Sequence, residues 1–312
     1  SGRFILLRYL KLSYLGEFLS YQSHYFMVVV TGSSGGIGFE TALELARRGA
    51  KVIVACRSEQ RGEKAVRRII RKTRNKRIRF MHLDLTSIKS IRIFVDEFKS
   101  SEAKLDVLIN NAGAILTTRE RTEDGILMDL QINYLGPFLL TVLLVPMLKR
   151  AVFSRVIVVS SAHGYIQAYA NSKLCNILFS NELSRRLEDT GVVVNSLNPG
   201  QVNTSLYRSS TVLEKLRSLL LYAFFKTPEE GAQTSVYLAI SDDCAEVTGR
   251  YFEDCGEAKP SSRALDENLA AKLGRATKLS PLQDYVRARR HYSRLFTHKD
   301  RLYSRSCIRG LC

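Results

Sequence analysis

The sequence predicts an α/β fold, a single domain on a doubly wound, mostly parallel seven-stranded sheet with helices on both faces. From Met27 onward, short β-branched runs alternate with helical patterns, which is typical of βαβ units. Runs such as Val28–Val30 and Val156–Val159 are apolar at consecutive positions, which suits strands covered on both faces. With 312 residues, 45% of them hydrophobic, the chain is long enough for one large core.

The elements follow from these patterns in chain order. The predicted strands are Met27–Thr31, Lys51–Cys56, Arg79–Leu83, Val107–Asn110, Arg155–Ser160, Val192–Leu197 and Arg250–Glu253. Helical patterns lie between them, for example Gly38–Arg48, Glu59–Thr73 and Ser87–Ser100. We therefore expect one domain over 27–258, preceded by an irregular segment over 1–26 and followed by a basic, loosely structured tail over 259–312.

The formal charge of +17 is concentrated in two places. Residues 57–79 hold 11 Lys/Arg and 2 Asp/Glu, and residues 261–312 hold 12 and 4. A solvated helix face plus a basic tail is one interpretation, and attraction to an anionic membrane surface or to nucleic acid is the other. The first cluster contains no aromatic residue before Phe80, which disfavours nucleic acid.

The cysteines and the N-terminal segment indicate the cellular environment of the protein. The six cysteines (56, 175, 244, 255, 307, 312) have no disulfide or metal-ligand spacing, so we expect reduced thiols, no metal and a cytosol-facing protein. Charged residues interrupt the apolar run near Phe4–Leu7, which is too short to span a bilayer but compatible with an interfacial anchor. The chain begins at Ser1 without methionine, as a fragment of a longer chain would.

A glycine-rich turn joins the first strand to the first helix, as Thr31-Gly-Ser-Ser-Gly-Gly-Ile-Gly38. Glycines let the backbone approach a pyrophosphate, and a helix N-terminus offers free N–H groups and partial positive charge. A plain tight turn is the alternative. The strand–turn–helix context favours a Rossmann-type dinucleotide site.

The end of the second strand indicates which nucleotide binds. Cys56-Arg57 stands 18 residues past Gly38, where an NAD-binding protein usually carries an acid. An arginine would pair with a 2′-phosphate that an acid would repel, which predicts NADP(H). Arg57 as one more surface charge is the alternative.

A tyrosine and a lysine one helical turn apart, Tyr169 and Lys173, follow a strand that ends in Ser160-Ser161. A phenol has a pKa near 10, and an ammonium on the same helix face favours its ionised form. A nearby serine hydroxyl could hold a substrate oxygen. These groups suit proton transfer to or from an alcohol or carbonyl oxygen, although such a pair also arises by chance.

Four further motifs accompany the glycine-rich turn and the tyrosine–lysine pair. They are Asp84-Leu85, Asn110-Asn111-Ala112-Gly113, Asn133 within Gln-Ile-Asn-Tyr-Leu-Gly-Pro-Phe, and Asn198-Pro-Gly-Gln-Val-Asn-Thr204. With these motifs in this order, the chain resembles the short-chain dehydrogenase/reductase family over roughly 27–258. The sequences of the motifs are most similar to those of the retinol dehydrogenase branch. That resemblance implies NADP(H) preference, frequent membrane attachment and reduction of retinaldehyde or related lipid carbonyls.

The resemblance also implies roles for individual residues. Tyr169 would be the general acid/base and Lys173 would lower its pKa and bind the nicotinamide ribose. Ser161 would hold the substrate oxygen, and Asn133 would support the lysine through a water. The implied cofactor contacts are Thr31, Gly32, Ser34, Gly36, Ile37, Gly38, Arg57, Asp84, Leu85, Asn111, Ala112, Gly113, Pro199, Gly200, Val202 and Thr204. Taken individually, these residues also have an interpretation without a function. Asn133 could be a buried, hydrogen-bonded amide, and Pro199-Gly200 could be a simple turn.

Two stretches depart from the branch pattern. The turn reads Ser33-Ser34-Gly35 where the branch usually has Ala-Asn-Ser or Ala-Asn-Thr, and Tyr169 follows Ser161 by only 8 positions. Eight residues span roughly 26 Å when extended, so the hydroxyl and phenol can still meet. The usual substrate wall cannot form from so short a connection. A catalytically impaired NADP(H)-binding relative, acting as an interaction or sensor protein, is therefore the alternative to an active enzyme.

The substrate and partners follow from the resemblance and from one apolar segment. We expect a small apolar carbonyl/alcohol substrate, no nucleic acid, and association with the endoplasmic reticulum or another internal membrane. Ser205–Lys226 carries leucines and phenylalanines at helical spacing. It could cover a lipid substrate, dip into a membrane, form a homodimer contact or pack in the core.

Overall fold

The computed structural model describes residues 26–116, 120–161, 167–202 and 225–274. Its single sheet has the strand order β3-β2-β1-β4-β5-β6-β7-β8. The strands are β1 (Met27–Thr31), β2 (Lys51–Cys56), β3 (Ile78–His82), β4 (Val107–Asn110), β5 (Ser154–Val159), β6 (Val192–Asn198), β7 (Tyr251–Glu253) and β8 (Gly256–Glu257). Strands β1 to β7 are parallel, and β8 pairs antiparallel with β7. The mostly parallel, doubly wound sheet is confirmed, with an eighth two-residue strand beyond the seven expected.

Helices cover both faces of this sheet. They are α1 (Gly36–Arg47), α2 (Glu59–Thr73), α3 (Ile88–Ser101), α4 (Met128–Leu148), α5 (Gln167–Arg186), α6 (Pro228–Ile240) and α7 (Glu267–Gly274). Apolar side chains of α1, α2 and α6 form one core with Val28 and Val30, and those of α3, α4 and α5 form the other with Met27 and Val29. Consecutive strand residues thus enter opposite cores, which is why the strands read as unbroken apolar runs.

Helix α4 has a five-residue π-helical stretch, Gln131–Leu135, between α-helical segments. In the described part of the chain, α4 alone is long and apolar enough to cross a membrane, but 72% of its most apolar window is buried inside the protein. Phe138 packs edge-on against Phe179 of α5 with ring centroids 5.1 Å apart. The burial makes α4 a core helix of this fold.

The folded chain extends past the expected domain end at residue 258. A 3₁₀ turn, Ser262–Leu265, leads into α7, which packs on α5. Ala264 and Ala270 are buried, and the Asn181 side chain donates to the Ala264 carbonyl at 3.1 Å. Within the segment 259–312, for which the sequence predicts a loosely structured tail, residues 262–274 include this 3₁₀ turn and helix. Residues 275–312 and 1–25 lie outside the described part.

The strand order places a crevice at one edge of the sheet. Connections from β1 lead to β2 on one side, while β4 lies on its other side, so the order reverses between β1 and β4. Ligands of open α/β sheets bind beyond the carboxyl ends of the strands at such a reversal. The polar and glycine-rich segments found in the sequence follow β1, β4, β5 and β6 at this edge.

Candidate active site

The glycine turn between β1 and α1 is shaped by close backbone contacts. Gly32 and Gly36 have φ of +66° and +58°, which L-residues with side chains rarely adopt. A Cβ on Gly32 would stand 2.8 Å from Ala112 Cα, and one on Gly38 would stand 2.3 Å from Asn111 Nδ2. Gly35 caps α1 without a side-chain hydrogen bond, so the first N–H groups of α1 remain available to an anion.

Thr31 and Asn111 hold this turn against the segment after β4. The Thr31 hydroxyl accepts from the backbone N–H groups of Asn111 and Ala112, both at 3.0 Å, and donates to Ile109 O at 3.3 Å. The Asn111 side chain donates to Thr31 O at 2.8 Å. These hydrogen bonds organise the backbone, and direct cofactor contacts by the two side chains stay a prediction.

The end of β2 carries no carboxylate. Burial raises the pKa of the Cys56 thiol despite a hydrogen bond from Ser34, so Cys56 is neutral at neutral pH. Arg57 follows with an exposed side chain, and Ser58 caps α2 by accepting from Arg61 N at 3.4 Å. Cationic groups and a neutral thiol therefore border the place where the sequence predicts a 2′-phosphate.

The end of β3 forms a compact turn. The Asp84 carboxylate accepts from the Thr86 backbone N–H at 2.9 Å and from the Thr86 hydroxyl at 2.7 Å. Leu85 is buried, and its carbonyl oxygen lies 2.7 Å from the position of a Cβ on Gly136. Both residues follow the carboxyl end of β3, and their contacts with an adenine stay a prediction.

Lys173 is the central charge of the site. Its ammonium is buried and donates to Val159 O at 2.9 Å, its one hydrogen-bond acceptor among the described residues. Burial lowers the pKa of Lys173 to about 8. The ammonium lies 5.7 Å from the centroid of the Tyr169 ring, on the same face of α5, and Tyr169 is also buried. The two residues that the sequence paired are thus adjacent in the structure.

Gly113 brings Asn133 next to this pair. The Asn133 amide oxygen and the Lys173 ammonium each lie 3.4 Å from the position that a Cβ on Gly113 would take. Asn133 sits in the π-helical stretch, accepts from Ala114 N at 2.7 Å and donates to Ala114 O at 2.8 Å. These contacts fit the alternative interpretation of a buried, hydrogen-bonded amide. π-Helical stretches often occur at functional sites, and the water-mediated role stays a prediction.

The two serines after β5 have different environments. Ser160 is buried and its hydroxyl donates to Lys173 O at 2.6 Å, which attaches the strand end to α5. Ser161 is half-buried. The Ser160 hydroxyl is thus committed to the helix backbone, and the role of Ser161 in holding a substrate oxygen stays a prediction. Residues 162–166 lie outside the described part of the chain.

The loop after β6 completes the crevice. Gly200 has φ of +80°, and its N–H donates to the Asn198 side chain at 3.1 Å. Val202 is buried against the first turn of α6, where a Cβ on Gly231 would stand 2.6 Å from Val202 Cγ2 and 3.3 Å from Ile37 Cγ1. Val202 thus lies near Ile37 of the glycine turn, and contacts of Pro199, Gly200 and Val202 with a cofactor stay a prediction. Thr204 lies outside the described residues.

Sequence reasoning missed one cation of this site. Lys226 donates to Pro199 O at 3.4 Å and pairs with the Asp254 carboxylate. It follows the apolar segment without any recognisable spacing to another motif, so no sequence signal pointed to it. Among the described residues no cluster of His, Cys, Asp or Glu could hold a metal ion.

Comparisons with known proteins agree with this geometry. The family model for short chain dehydrogenases matches residues 27–213. Human retinol dehydrogenase 14 is 43% identical over 279 residues, covering 79% of this chain and 83% of that protein. The bovine dehydrogenase/reductase SDR family member 13 is 41% identical over 271 residues, covering 80% and 71%.

Comparison with solved structures also finds proteins with a similar fold. An uncharacterized protein from Mycobacterium paratuberculosis is 32% identical, with a TM-score of 0.59 over 78% of this chain and 88% of that chain. A short chain dehydrogenase from Escherichia coli CFT073, complexed with NADPH, is 25% identical, with a TM-score of 0.61 over 73% and 96%.

Burial of Lys173 predicts a distinctive titration. In NMR of protein labelled with ¹³C at lysine Cε, we expect one resonance to titrate near pH 8 in the cofactor-free protein. The outlying resonance should disappear in Lys173→Met. A spectrum in which every lysine titrates above about pH 10, the ordinary lysine range, would contradict the buried position.

Proposed function

Because the chain belongs to the short-chain dehydrogenase family and is an oxidoreductase, we propose that it interconverts a retinol-like apolar alcohol and its carbonyl with NADP(H). The observation that carries the proposal is the buried Lys173 ammonium beside the Tyr169 ring, next to Gly113 and the glycine turn. This arrangement combines a proton-transfer group with a dinucleotide-binding turn at one sheet edge.

The residues present fit a dinucleotide. The approach of Gly32 and Gly38 to the Asn111-Ala112 backbone leaves a side-chain-free surface at the start of α1, where a pyrophosphate would lie. Lys173 would bind the nicotinamide ribose, and Pro199 and Gly200 would border the nicotinamide. When bound, the cofactor would supply the hydride that the carbonyl carbon accepts.

Side chains of the protein itself would transfer the proton. In reduction, Tyr169 would give its phenolic proton to the substrate oxygen, which Ser161 would hold in place, and the alcohol would form. The resulting phenolate would be stabilised by the Lys173 ammonium and then regain a proton from solvent. Oxidation would run in reverse, with Tyr169 accepting the proton. Below about pH 8 the ammonium is mainly charged, so this stabilisation is available at neutral pH.

The substrate class rests on the relatives. Relatives named retinol dehydrogenase align over 79% of this chain. Two segments are expected to border the substrate, the Ser161–Tyr169 connection and Ser205–Lys226, and their residues 162–166 and 205–224 lie outside the described part of the chain. The short Ser161–Tyr169 connection favours a second candidate, a catalytically impaired NADP(H)-binding protein.

Tyr169→Phe separates these two candidates. With NADPH and all-trans-retinal or small aldehydes, we expect the wild type to oxidise NADPH at least a hundredfold faster than Tyr169→Phe, since general acid catalysis contributes about 10²–10⁴-fold. NADPH binding should be the same for both. Tyr237→Phe is the matched control, because Tyr237 lies in the last turn of α6 and its hydroxyl donates to Asp243 at 3.4 Å. Equal, negligible turnover by wild type and Tyr169→Phe would exclude the enzyme.

Arg57 should set the choice of nucleotide. Replacing it with alanine removes a cation opposite the 2′-phosphate, so the Kd for NADPH should rise about tenfold or more while the Kd for NADH stays within about twofold. Arg92→Ala, an exposed arginine of α3, is the control and should change neither value. If both nucleotides weaken equally in Arg57→Ala, the arginine does not read the 2′-phosphate.

We also propose association with an anionic membrane surface through α2. Its exposed face carries Arg61, Lys64, Arg67, Arg68, Arg71 and Lys72. Within the described residues one of these six, Arg67, has an ion-pair partner, Glu63 at 3.7 Å. A row of solvated cations adds about 1 kcal/mol of attraction per charge near an anionic leaflet. Endoplasmic reticulum localisation and a homodimer stay predictions from the sequence.

Vesicle sedimentation tests the membrane proposal. The triple variant Lys64→Ser, Arg71→Ser, Lys72→Ser should bind phosphatidylserine vesicles at least tenfold more weakly than wild type. Lys89→Ser, Arg92→Ser, Lys99→Ser removes the same charge from α3 on the other face and should bind like the wild type. Equal binding by all three proteins, or binding that 0.5 M salt leaves unchanged, would contradict a role for α2.

A further inference from the structure

The loop after β6 is joined to the start of α6 by a short backbone contact. Lys226 N donates to Gln201 O at 2.8 Å, and Val202 and Lys226 form a parallel β-bridge. The chain therefore returns to the nicotinamide-side loop immediately before α6 begins. Thr227 and Glu230 close a capping box that fixes this helix start.

The Lys226 side chain then folds back across the loop. The position of a Cβ on Gly200 lies 2.9 Å from Lys226 Nζ and 3.1 Å from Lys226 Cε, so the end of the lysine side chain packs directly on Gly200, whose φ of +80° favours glycine. The ammonium donates to Pro199 O at 3.4 Å and pairs with the Asp254 carboxylate. Lys226 thus contacts Pro199 and Gly200, the residues expected beside the nicotinamide.

Asp254 is itself held in place by the sheet and by α6. It lies in the β7–β8 turn with φ of +51°, and the next N–H, that of Cys255, donates to Thr234 Oγ1 of α6 at 3.2 Å. On the same strand, Glu253 accepts from the Asn198 side chain at 3.0 Å. The β7–β8 turn is therefore a fixed support on which Lys226 anchors the loop.

This ion pair is poorly placed to stabilise the fold as a whole. The side chains of Lys226 and Asp254 are 31% and 47% exposed, and exposed pairs contribute little to global stability. Its effect should therefore be local. The groups it restrains are the Pro199 carbonyl and the Gly200 backbone.

We propose that Lys226 and Asp254 are a positioning pair that holds the Pro199–Gly200 loop in the conformation that receives the nicotinamide half of the cofactor. This inference rests on the proposed NADP(H) function. It assigns the two residues to orientation of the nicotinamide, without contact between them and the reacting atoms.

Cofactor fluorescence tests the pair, since the chain contains no tryptophan to interfere. In Lys226→Met or Asp254→Asn, we expect the Kd for NADPH to rise about tenfold and the nicotinamide emission of the complex to shift. The Kd for 2′,5′-ADP, which lacks the nicotinamide half, should stay within twofold. The double variant should be no worse than either single one, because the residues act as a unit. Lys226→Arg should recover most of the affinity.

Arg250→Met is the matched control. Arg250 pairs with Glu257 at 3.6 Å on the same β-hairpin, away from the loop, and its loss should leave both ligands unaffected. Equal weakening of NADPH and 2′,5′-ADP, or unchanged NADPH binding and emission, or additive effects in the double variant, would each overturn the positioning role. A wild type that binds neither ligand would overturn the proposed function, and this inference with it.

Discussion

The hydrogen bonds of Thr31 are the interaction on which the rest of the site depends. They join the end of β1 to the end of β4, where the strand order reverses, and so bring the glycine turn against Ala112. Asn111 strengthens the junction by donating to Thr31 O. Because Gly32 touches the Ala112 backbone, side chains are excluded from this surface. A ligand that approaches it meets backbone N–H groups and the N-terminus of α1.

From the same junction the chain leads to the residues for which we propose proton transfer. Gly113 follows Ala112 and leaves room for the Asn133 amide and the Lys173 ammonium. The β5 end is attached to α5 by the Ser160 hydroxyl, which fixes the register of Lys173 and Tyr169 relative to the sheet. The nucleotide-binding turn and the tyrosine–lysine pair are therefore parts of one hydrogen-bonded framework.

Much of this could be predicted from the sequence because its signals are local. Strands buried on both faces leave unbroken apolar runs, and positive φ at a turn favours glycine, so the sheet and the β1–α1 turn are recognisable from the sequence pattern. The packing of α7 on α5 and the contact of Lys226 with Pro199 were missed. Both involve contacts between residues that are distant in sequence. Asn181 donates to Ala264 O beside α7, and Lys226 pairs with Asp254, and no local sequence pattern predicts such contacts.

The burial of Lys173 links cofactor binding to proton chemistry. With one carbonyl as its acceptor among the described residues, the ammonium is poorly compensated for its loss of water, and its pKa falls to about 8. Ligand hydroxyls that accept from it would favour the charged form and raise this pKa again. Only the charged form stabilises a Tyr169 phenolate. A ribose bound at Lys173 would therefore keep the tyrosine competent for proton transfer to a higher pH than in the cofactor-free protein.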